Sequence, residues 1–511
     1  MKAVTAAEMR EIDRISIEEY GIPASLLMNN AGKAVADFIK ENFTAAVVDI
    51  FCGTGNNGGD GFTAAYYLKN SGFDPVIYVS GPRDKITPVS LIFLGMCEKL
   101  EIPVTWLDEK NTASLTIRPD SVVIDSLTGT GFEGALRGVT LQAVHAINRS
   151  RNRVVAVDLP SGLPSDGEEP KGEAVKSDYT LTMGLPKISL VTYPGKNYCG
   201  QVTTCDIGFP AALTAADSLK VNIIDKNYIK AAAIFNPGED IHKGDRGNTL
   251  LVGGFTGMEG AAILTASAMF RTGAGLVTMA TSEKSRHIIA GKIPELMTIA
   301  LPDSLMQKTV HEIVSQKKFN TLIIGPGLGR DSYAAEVFNA FMSGIKGSEI
   351  RSVLVDGDGL YHLAGWLKEN RLIDEISYVI TPHFMEASRI IDTDIRVIKN
   401  NRLKYCIGIS KYTGCTTVLK GPASVISDGN VSFINTTGNR GLATAGSGDV
   451  LSGIIGTFLS RGLPPLPSCA AGVYIHGLCA DLFGEGNAKD TMSSSEIINF
   501  IRPAITGLTE N

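Results

Sequence analysis

The sequence predicts an α/β protein built as two three-layer αβα domains, and three observations predict it. The chain has 511 residues, more than a single hydrophobic core organises. Short β-branched, nearly continuous apolar runs alternate with helical patterns along its whole length, as strands of a parallel sheet covered on both faces do. Around residues 212–240 the text changes to a helix, a connector and a polar, Pro/Gly-containing linker. This puts a boundary near 220–235 and the domains at 1–220 and 221–511. No internal repeat is visible.

In the first half the strand candidates are AVVDIF (46–51), PVIYVS (75–80), SVVIDS (121–126), RVVAVD (153–158) and DYTLTM (178–183). In the second they are NTLLVGG (248–254), GLVTMA (275–280), TLIIGPG (321–327), SVLVDGDG (352–359), SYVITPH (377–383), TTVLKG (416–421) and VSFINT (431–436). Chemistry in such folds gathers at the carboxyl ends of the strands.

Composition narrows the function. Apolar residues are 44% and charged residues 20%, and the net charge is −6. That balance excludes a nucleic-acid backbone as the main partner and leaves room for a local pocket for a small anion. The eight cysteines form no C-x-x-C pair, so buried free thiols in a reducing compartment are expected. The N-terminus has no apolar core of a signal peptide, and no apolar run reads as long enough to span a membrane; the best candidate, VLSGIIGTFL, is short and broken by glycines. A soluble, cytoplasmic homo-oligomer with no membrane partner is the expectation.

The densest motif of the first half is GTGNNGGDG, Gly53 to Gly61, directly after a strand and directly before a helix. Glycines let backbone amides approach a ligand, and a helix N-terminus attracts anions. A second loop, GTGFEG (129–134), follows the strand ending at Asp125, and a third strand ends in AVDLPSG with Asp158 and Ser161. Together these oxygens suit a hard cation beside a phosphate. Each loop alone reads equally well as a turn or cap; three on successive strand ends favour a site. Asp158, a carboxylate in a glycine-lined pocket, is the candidate for moving a proton, although an Asp at a strand end often just bonds the following turn. Gly53, Gly55 and Gly58 also satisfy G-x-G-x-x-G with Asp74 downstream, a weak dehydrogenase signal.

NNAG (29–32), GTGNNGGDG, DSLTGTG (125–131) and VDLPSG (157–162) resemble the motif series of the NAD(P)H-hydrate epimerase family over nearly all of residues 1–210. The resemblance implies a Rossmann-like domain that contacts its substrate through Asn56, Asn57, Gly58, Gly59 and Asp60. Gly129, Thr130, Gly131, Phe132, Glu133, Gly134 and Ala135, with Asp158, would contact the hydrated nicotinamide nucleotide. K+ would be held by Asn57, Asp125 and Ser161. Thr128 stands where the family usually has Phe.

The strongest stretch of the second half runs from Thr436 to Gly462, TTGNRGLATAGSGDVLSGIIGTFLSRG. Its glycine loop leads into a helix whose first turn carries Asp449. The amides and the helix dipole make an anion hole for a transferring phosphoryl group, and Asp449 beside it can accept a hydroxyl proton. As an acid in a first helical turn, Asp449 also has a purely structural reading. Lys420, at a strand end in VLKGPAS, suits a nucleotide. His383, alone, reads as structural; in TPH…E it suits a substrate contact. No G-x-x-x-x-G-K-[ST] is present, which excludes a P-loop enzyme.

HKG…GNTLLVGG, GPGLG, TPH..E, LKG and AGSGD, in that order over roughly 240–505, resemble the NAD(P)H-hydrate dehydratase branch of the ribokinase-like superfamily. The resemblance implies a ribokinase-like fold. It puts ADP or ATP, with Mg2+, on Lys420, Gly421, Pro422, Ala423, Ser424 and Gly448, and the hydrated substrate on Ala261, Gly327, His383 and Asp449. By analogy with kinase relatives, the hydroxyl of the hydrate is phosphorylated and phosphate then leaves. Ala445, Glu259, the DGDGL segment and Phe384-Met385 depart from the family pattern, and the Ala445 methyl is expected to tighten the anion loop. The rival readings are a ribokinase-like small-molecule kinase with an N-terminal nucleotide-binding module, a nucleotide-binding protein without activity, and a dehydrogenase.

Overall fold

In the computed structural model the chain divides into two compact units, Met1–Val221 and Asn222–Asn511. The described residues are 1–44, 46–113, 115–231, 240–304, 306–316 and 318–509; the expected linker segment 232–239 lies outside them.

The first unit is a seven-stranded, fully parallel sheet. Its strands lie in the order Val104–Leu107, Asp74–Ser80, Val47–Cys52, Val122–Ser126, Arg153–Val157, Tyr179–Met183, Gln201–Cys205. The order reverses between Val47–Cys52 and Val122–Ser126, which pair from Val48↔Val122 to Cys52↔Ser126. At such a reversal the crossovers leave to opposite faces, and a crevice opens at the carboxyl ends. The GTGNNGGDG loop begins there. Asp74 stands at the start of its strand, away from that crevice, and its carboxylate is paired with Arg118 at 2.9 Å. It is therefore not the ribose-binding acid of a dinucleotide fingerprint.

The second unit repeats the principle. From Met297–Leu301 the sheet runs through Leu276–Ser282, Asn248–Val252, Thr321–Ile324, Ser352–Val355 and Ser377–Ile380 to Thr416–Leu419, all parallel. Val425–Ser427 and Ser432–Asn435 then continue it antiparallel. Its reversal lies between Asn248–Val252 and Thr321–Ile324. Helix Ser447–Ser460 crosses the unit with every residue from Val450 to Ser460 buried, and Gly453 lets the backbone of Thr265 on helix Glu259–Thr272 approach where a Cβ would collide. A helix apolar on all sides must be covered on all sides.

Each apolar run expected as a strand forms one, within a residue or a few at the ends. The strands not foreseen are marginal ones: the two-residue Lys2–Ala3, Val104–Leu107, Gln201–Cys205 and Met297–Leu301 at sheet edges, Val221–Ile224 in the expected connector, and the three-residue Val425–Ser427. Edge strands keep one side in water and lack a continuous apolar run. The helix expected near 212 is only Ala211–Thr214. One membrane expectation is corrected. Helix Pro465–Gly486 is long and apolar enough to cross a bilayer by length and composition, but 72% of its most apolar window is buried inside the protein. All eight cysteines are free thiols and seven are buried.

Phe458 is fully buried in the second core. Phe458→Ala should cost about 3–5 kcal/mol, read as a lower denaturation midpoint of the second unit; an unchanged midpoint would contradict the packing described.

Candidate active sites

In the first unit the Gly53 N–H donates to Ser126 O at 3.0 Å, tying the two strands of the reversal together. A Cβ on Gly53 would strike Leu127 O, and one on Gly58 would strike Gly53 O, so both glycines are required by close backbone packing. Helix Asn56–Asn70 starts at this point, and its first turn borders a cavity of about 630 Å³. Of the residues expected to contact substrate, Asn56, Asn57, Asp60, Gly129, Thr130, Gly131, Phe132 and Asp158 line the cavity. Gly58 and Gly59 are buried behind the loop, and Glu133, Gly134 and Ala135 are outside the lining.

The three expected cation ligands come together. Asp125 Oδ1 accepts from Ser161 Oγ at 2.6 Å, and Oδ2 accepts from Ser161 N at 2.8 Å. Asn57 Nδ2 donates to Thr128 O at 3.0 Å, and Ser161 Oγ lies 3.3 Å from the same carbonyl. Asn57 Oδ1 is buried with no hydrogen-bond partner, an arrangement that costs free energy unless something positive faces it. Burial raises Asp125 to about 6 despite the bonds from Ser161. An orphaned amide oxygen, an uncompensated buried carboxylate and a carbonyl suit a hard cation. Thr128, where the family has Phe, uses its hydroxyl to accept from Gly162 N at 3.1 Å, so the change adds a loop tie.

Asp158 adopts φ +66°, in the left-handed region. Its Oδ2 accepts from Thr130 Oγ1 and, at 3.3 Å, from Thr130 N; its Oδ1 accepts from Met183 N at 3.3 Å and from Lys187 Nζ. Lys187 is 1% exposed and donates also to Thr182 Oγ1 at 3.1 Å and Met183 O at 3.0 Å, so its three protons have three acceptors. The segment is clamped by Val4, whose N–H donates to Pro186 O and whose carbonyl accepts from Ile188 N. Burial works to raise Asp158, but the Lys187 charge and these hydrogen bonds outweigh it and hold the carboxyl below its ordinary range. Asp158 is a fixed anion, suited to accepting hydrogen bonds and poorly suited to taking up a proton. Of the three carboxyl groups on the cavity wall, Asp13 and Asp60 make no hydrogen bond among the described residues. Lys187 and Asp13 were not foreseen. Lys187 stands alone after a strand end, and Asp13 sits in an N-terminal helix, Ala6–Glu18, that reads only as amphipathic.

In the second unit Gly446, at φ +85°, caps helix Ser447–Ser460. A Cβ on Gly448 would lie 3.2 Å from Lys420 Nζ, so the lysine sits against the helix start. Lys420 pairs with Asp356 at 2.7 Å. Asp356, at the end of strand Ser352–Val355, is fully buried and also accepts from Thr381 Oγ1 at 2.6 Å and Ser452 Oγ at 2.7 Å. Burial pushes Asp449 up to about 7; the Asp356 charge adds to this and Lys420 offsets only part. Burial likewise lifts Glu386 to about 7, against Lys420.

His383 departs from expectation in detail. Its Nδ1 accepts from the amides of Met385 and Glu386, both at 3.2 Å, while Glu386 Oε2 accepts from His383 N at 2.8 Å. This is a capping box on helix Phe384–Ile391. Burial, then the Lys420 charge, depresses the imidazole pKa. The ring is a neutral helix cap, and only its half-exposed edge is left for a ligand. Ala261 and Gly327 are neighbours: a Cβ on Gly327 would lie 3.2 Å from Ala261 Cβ. The loop Lys420–Ser424 is closed by Ser424 Oγ donating to Gly421 O at 2.8 Å, with Ala423 at φ +52°. Phe384, one of the departures, packs on Gly421 and carries the cations of Arg402 and Lys399 over its ring. The expected tightening by Ala445 is not observed, because Ala445 is exposed and engages only through its carbonyl, which accepts from Ser494 Oγ at 2.6 Å.

Residues 249–503 match the family described as NAD(P)H-hydrate dehydratase, and residues 24–189 match the YjeF-related protein N-terminus. The bifunctional NAD(P)H-hydrate repair enzyme of Moorella thermoacetica is 33% identical, with 100% of this chain and 98% of that one aligned. The chain belongs to the bifunctional NAD(P)H-hydrate repair enzymes. A repair enzyme of the same name from Thermofilum pendens is 32% identical over 100% of this chain and 97% of its own. A ribokinase-like superfamily protein from Enterococcus faecalis has a TM-score of 0.50 at 25% identity, covering 57% of this chain and 98% of that one. An ADP/ATP-dependent NAD(P)H-hydrate dehydratase from Bacillus subtilis, co-crystallised with ATP and Mg2+, has a TM-score of 0.50 at 24% identity, covering 57% and 99%. The second unit of this repair enzyme therefore has the ribokinase-like fold and the first the Rossmann-like one.

Lys187→Met in the repair enzyme leaves Asp158 buried without its countercharge. It should destabilise the first unit by about 3–5 kcal/mol, measured by denaturant unfolding, and the double variant with Asp158→Asn should recover part of the loss. Equal midpoints for wild type and Lys187→Met would refute the pairing.

Proposed function

We propose that the chain carries out both reactions of its family on one damaged metabolite. The first unit interconverts the R and S forms of hydrated NADH and NADPH. The second dehydrates the S form at the expense of ADP or ATP. The observation that carries this reading is that each unit keeps its polar set at its strand ends, in a chain aligned with bifunctional relatives from end to end. An ordinary small-molecule kinase would explain the anion loop of the second unit but not the first.

In the second unit Asp449 accepts the proton of the hydrate's hydroxyl as that oxygen attacks the terminal phosphoryl group. Lys420 and the first-turn amides of helix Ser447–Ser460 neutralise the charge being transferred. Phosphate then departs from the hydrated carbon and a proton leaves its neighbour, restoring the dihydronicotinamide ring. The nucleotide lies on Lys420, Gly421, Pro422, Ala423, Ser424 and Gly448, and the hydrate against Ala261, Gly327, the edge of His383 and Asp449. Mg2+ accompanying a nucleotide takes much of its shell from phosphates and water; among the described residues no group of three or more His, Cys, Asp and Glu offers a complete one.

In the first unit the lining loops hold the hydrated ring beside the fixed Asp158 carboxylate. K+ would be held by Asn57, Asp125 and Ser161, and would supply positive charge that offsets buried Asp125. The orphaned Asn57 Oδ1 supports this assignment. Eight free thiols support a reducing, cytoplasmic setting.

With S hydrate and ADP or ATP, recovery of NADH absorbance should fall 100-fold or more in Asp449→Ala. In the wild type the rate should drop as pH falls through about 7, because a base raised to that value becomes protonated below it; a rate flat between pH 5 and 8 would remove Asp449 from the role. Replacing K+ by Li+ or Cs+ should slow R-to-S conversion, and Asn57→Ala should abolish the difference between cations. Indifference of the wild type to the cation would count against all three ligands.

A further inference from the structure

We propose that Asp13 and Asp60 are the proton-transfer pair of the first unit, and that Asp158 with Lys187 is the fixed anchor beside them. The inference rests on the epimerase reading above and assigns the chemical step within it.

The cavity wall carries three carboxyl groups, on three different elements: Asp13 on helix Ala6–Glu18, Asp60 on helix Asn56–Asn70, and Asp158 after strand Arg153–Val157. A group that moves a proton must be able to gain and lose one. Asp158 is committed on both oxygens, to Lys187, Met183 and Thr130. Asp13 and Asp60 make no hydrogen bond among the described residues, so both carboxyl groups are open to a ligand. The charged groups around Asp13 are Arg10 on its own helix and Lys187, Asp158 and Asp60 from the facing elements; those around Asp60 are Asp13, Asp158 and Lys187, with the buried Cys52 thiol beneath it.

Their environments separate them. Desolvation lifts Asp13 to about 6; Lys187 opposes the shift and Asp158 adds to it. Asp60 is pushed well above the usual carboxylate range by burial, then by the charges of Asp158 and Asp13. Asp60, held well above the usual carboxylate range, takes the acid role, and Asp13, raised to about 6, takes the base role. Two titratable groups pushed apart in this way divide the acid and base roles.

The step balances without a redox partner. The hydroxyl-bearing carbon is bonded to the ring nitrogen. Asp60 gives its proton to the hydroxyl, the C–O bond breaks, water leaves, and the nitrogen lone pair forms a C=N+ bond. A water molecule adds to the opposite face, Asp13 takes its proton, and the electron pair returns to nitrogen. The product is the same hydrate inverted at that carbon. The proton has passed from Asp60 to Asp13, and exchange with water in the cavity resets the pair.

The test uses the full chain with purified R hydrate, without nucleotide, following the epimers by chromatography in H2(18)O. Wild type should invert the centre and take one solvent oxygen per inversion. Asp13→Asn and Asp60→Asn should each lose 100-fold or more in kcat, with KM within about threefold. Asp13→Asn should also lose the limb of the pH profile near 6, and Asp13→Glu should restore at least a tenth of the rate. Near-wild-type kcat in either Asn variant, or inversion without 18O uptake, would overturn the proposal. A wild type that leaves R hydrate unchanged under these conditions would instead overturn the epimerase reading itself.

Discussion

In each unit one carboxylate removed from water just after a parallel strand is answered by one lysine, buried in the first unit and partly buried in the second. Asp158 meets Lys187 in the first unit and Asp356 meets Lys420 in the second. Each aspartate follows its strand directly, and each lysine arrives on a later one, so each pair joins two crossovers at the carboxyl edge of its sheet. Burying such a pair gains little net stability, while leaving one partner alone is costly. The pairs therefore act less as glue than as a condition: the loops must close in one arrangement for both charges to be satisfied.

The fixed pairs also set the electrostatics of their neighbours. Each holds its own aspartate ionised and leaves the nearby carboxyl groups in a dry, partly negative setting. Asp13 and Asp60 beside the first pair, and Asp449 and Glu386 beside the second, are all raised. Groups raised toward neutrality can exchange protons near pH 7, as acid–base catalysis requires. Glycine completes both sites by removing Cβ atoms where backbone must touch backbone or lysine, at Gly53, Gly58 and Gly448.

This division explains what could be read from the residues alone. Central strands carry continuous apolar runs, so they and the loops at their ends were legible, along with Asn57, Asp125, Ser161, Lys420 and Asp449. Edge strands such as Val104–Leu107 were not, because one side faces water. Asp13 and Lys187 were missed because each is an isolated ionisable residue whose role depends on long-range folding; nothing in the surrounding text says that a helix near the N-terminus and a residue 174 positions later face one cavity. Asp356 lies in the SVLVDGDG run, but nothing there marks it as the partner of Lys420, 64 residues on. His383 and Ala445 show what a motif leaves out. The motif offered His383 as a ligand contact without its capping of helix Phe384–Ile391, and Ala445 as an obstruction although it is exposed.

The central claim is that one chain restores both epimers of the hydrate. It is tested most directly by recovery of NADH absorbance from a mixture of R and S hydrates with ADP or ATP supplied, on a timescale short relative to spontaneous epimerisation. The account predicts complete recovery that depends on the nucleotide. Recovery that stops at the S fraction would contradict it, because the first unit would then be a binding module rather than an epimerase.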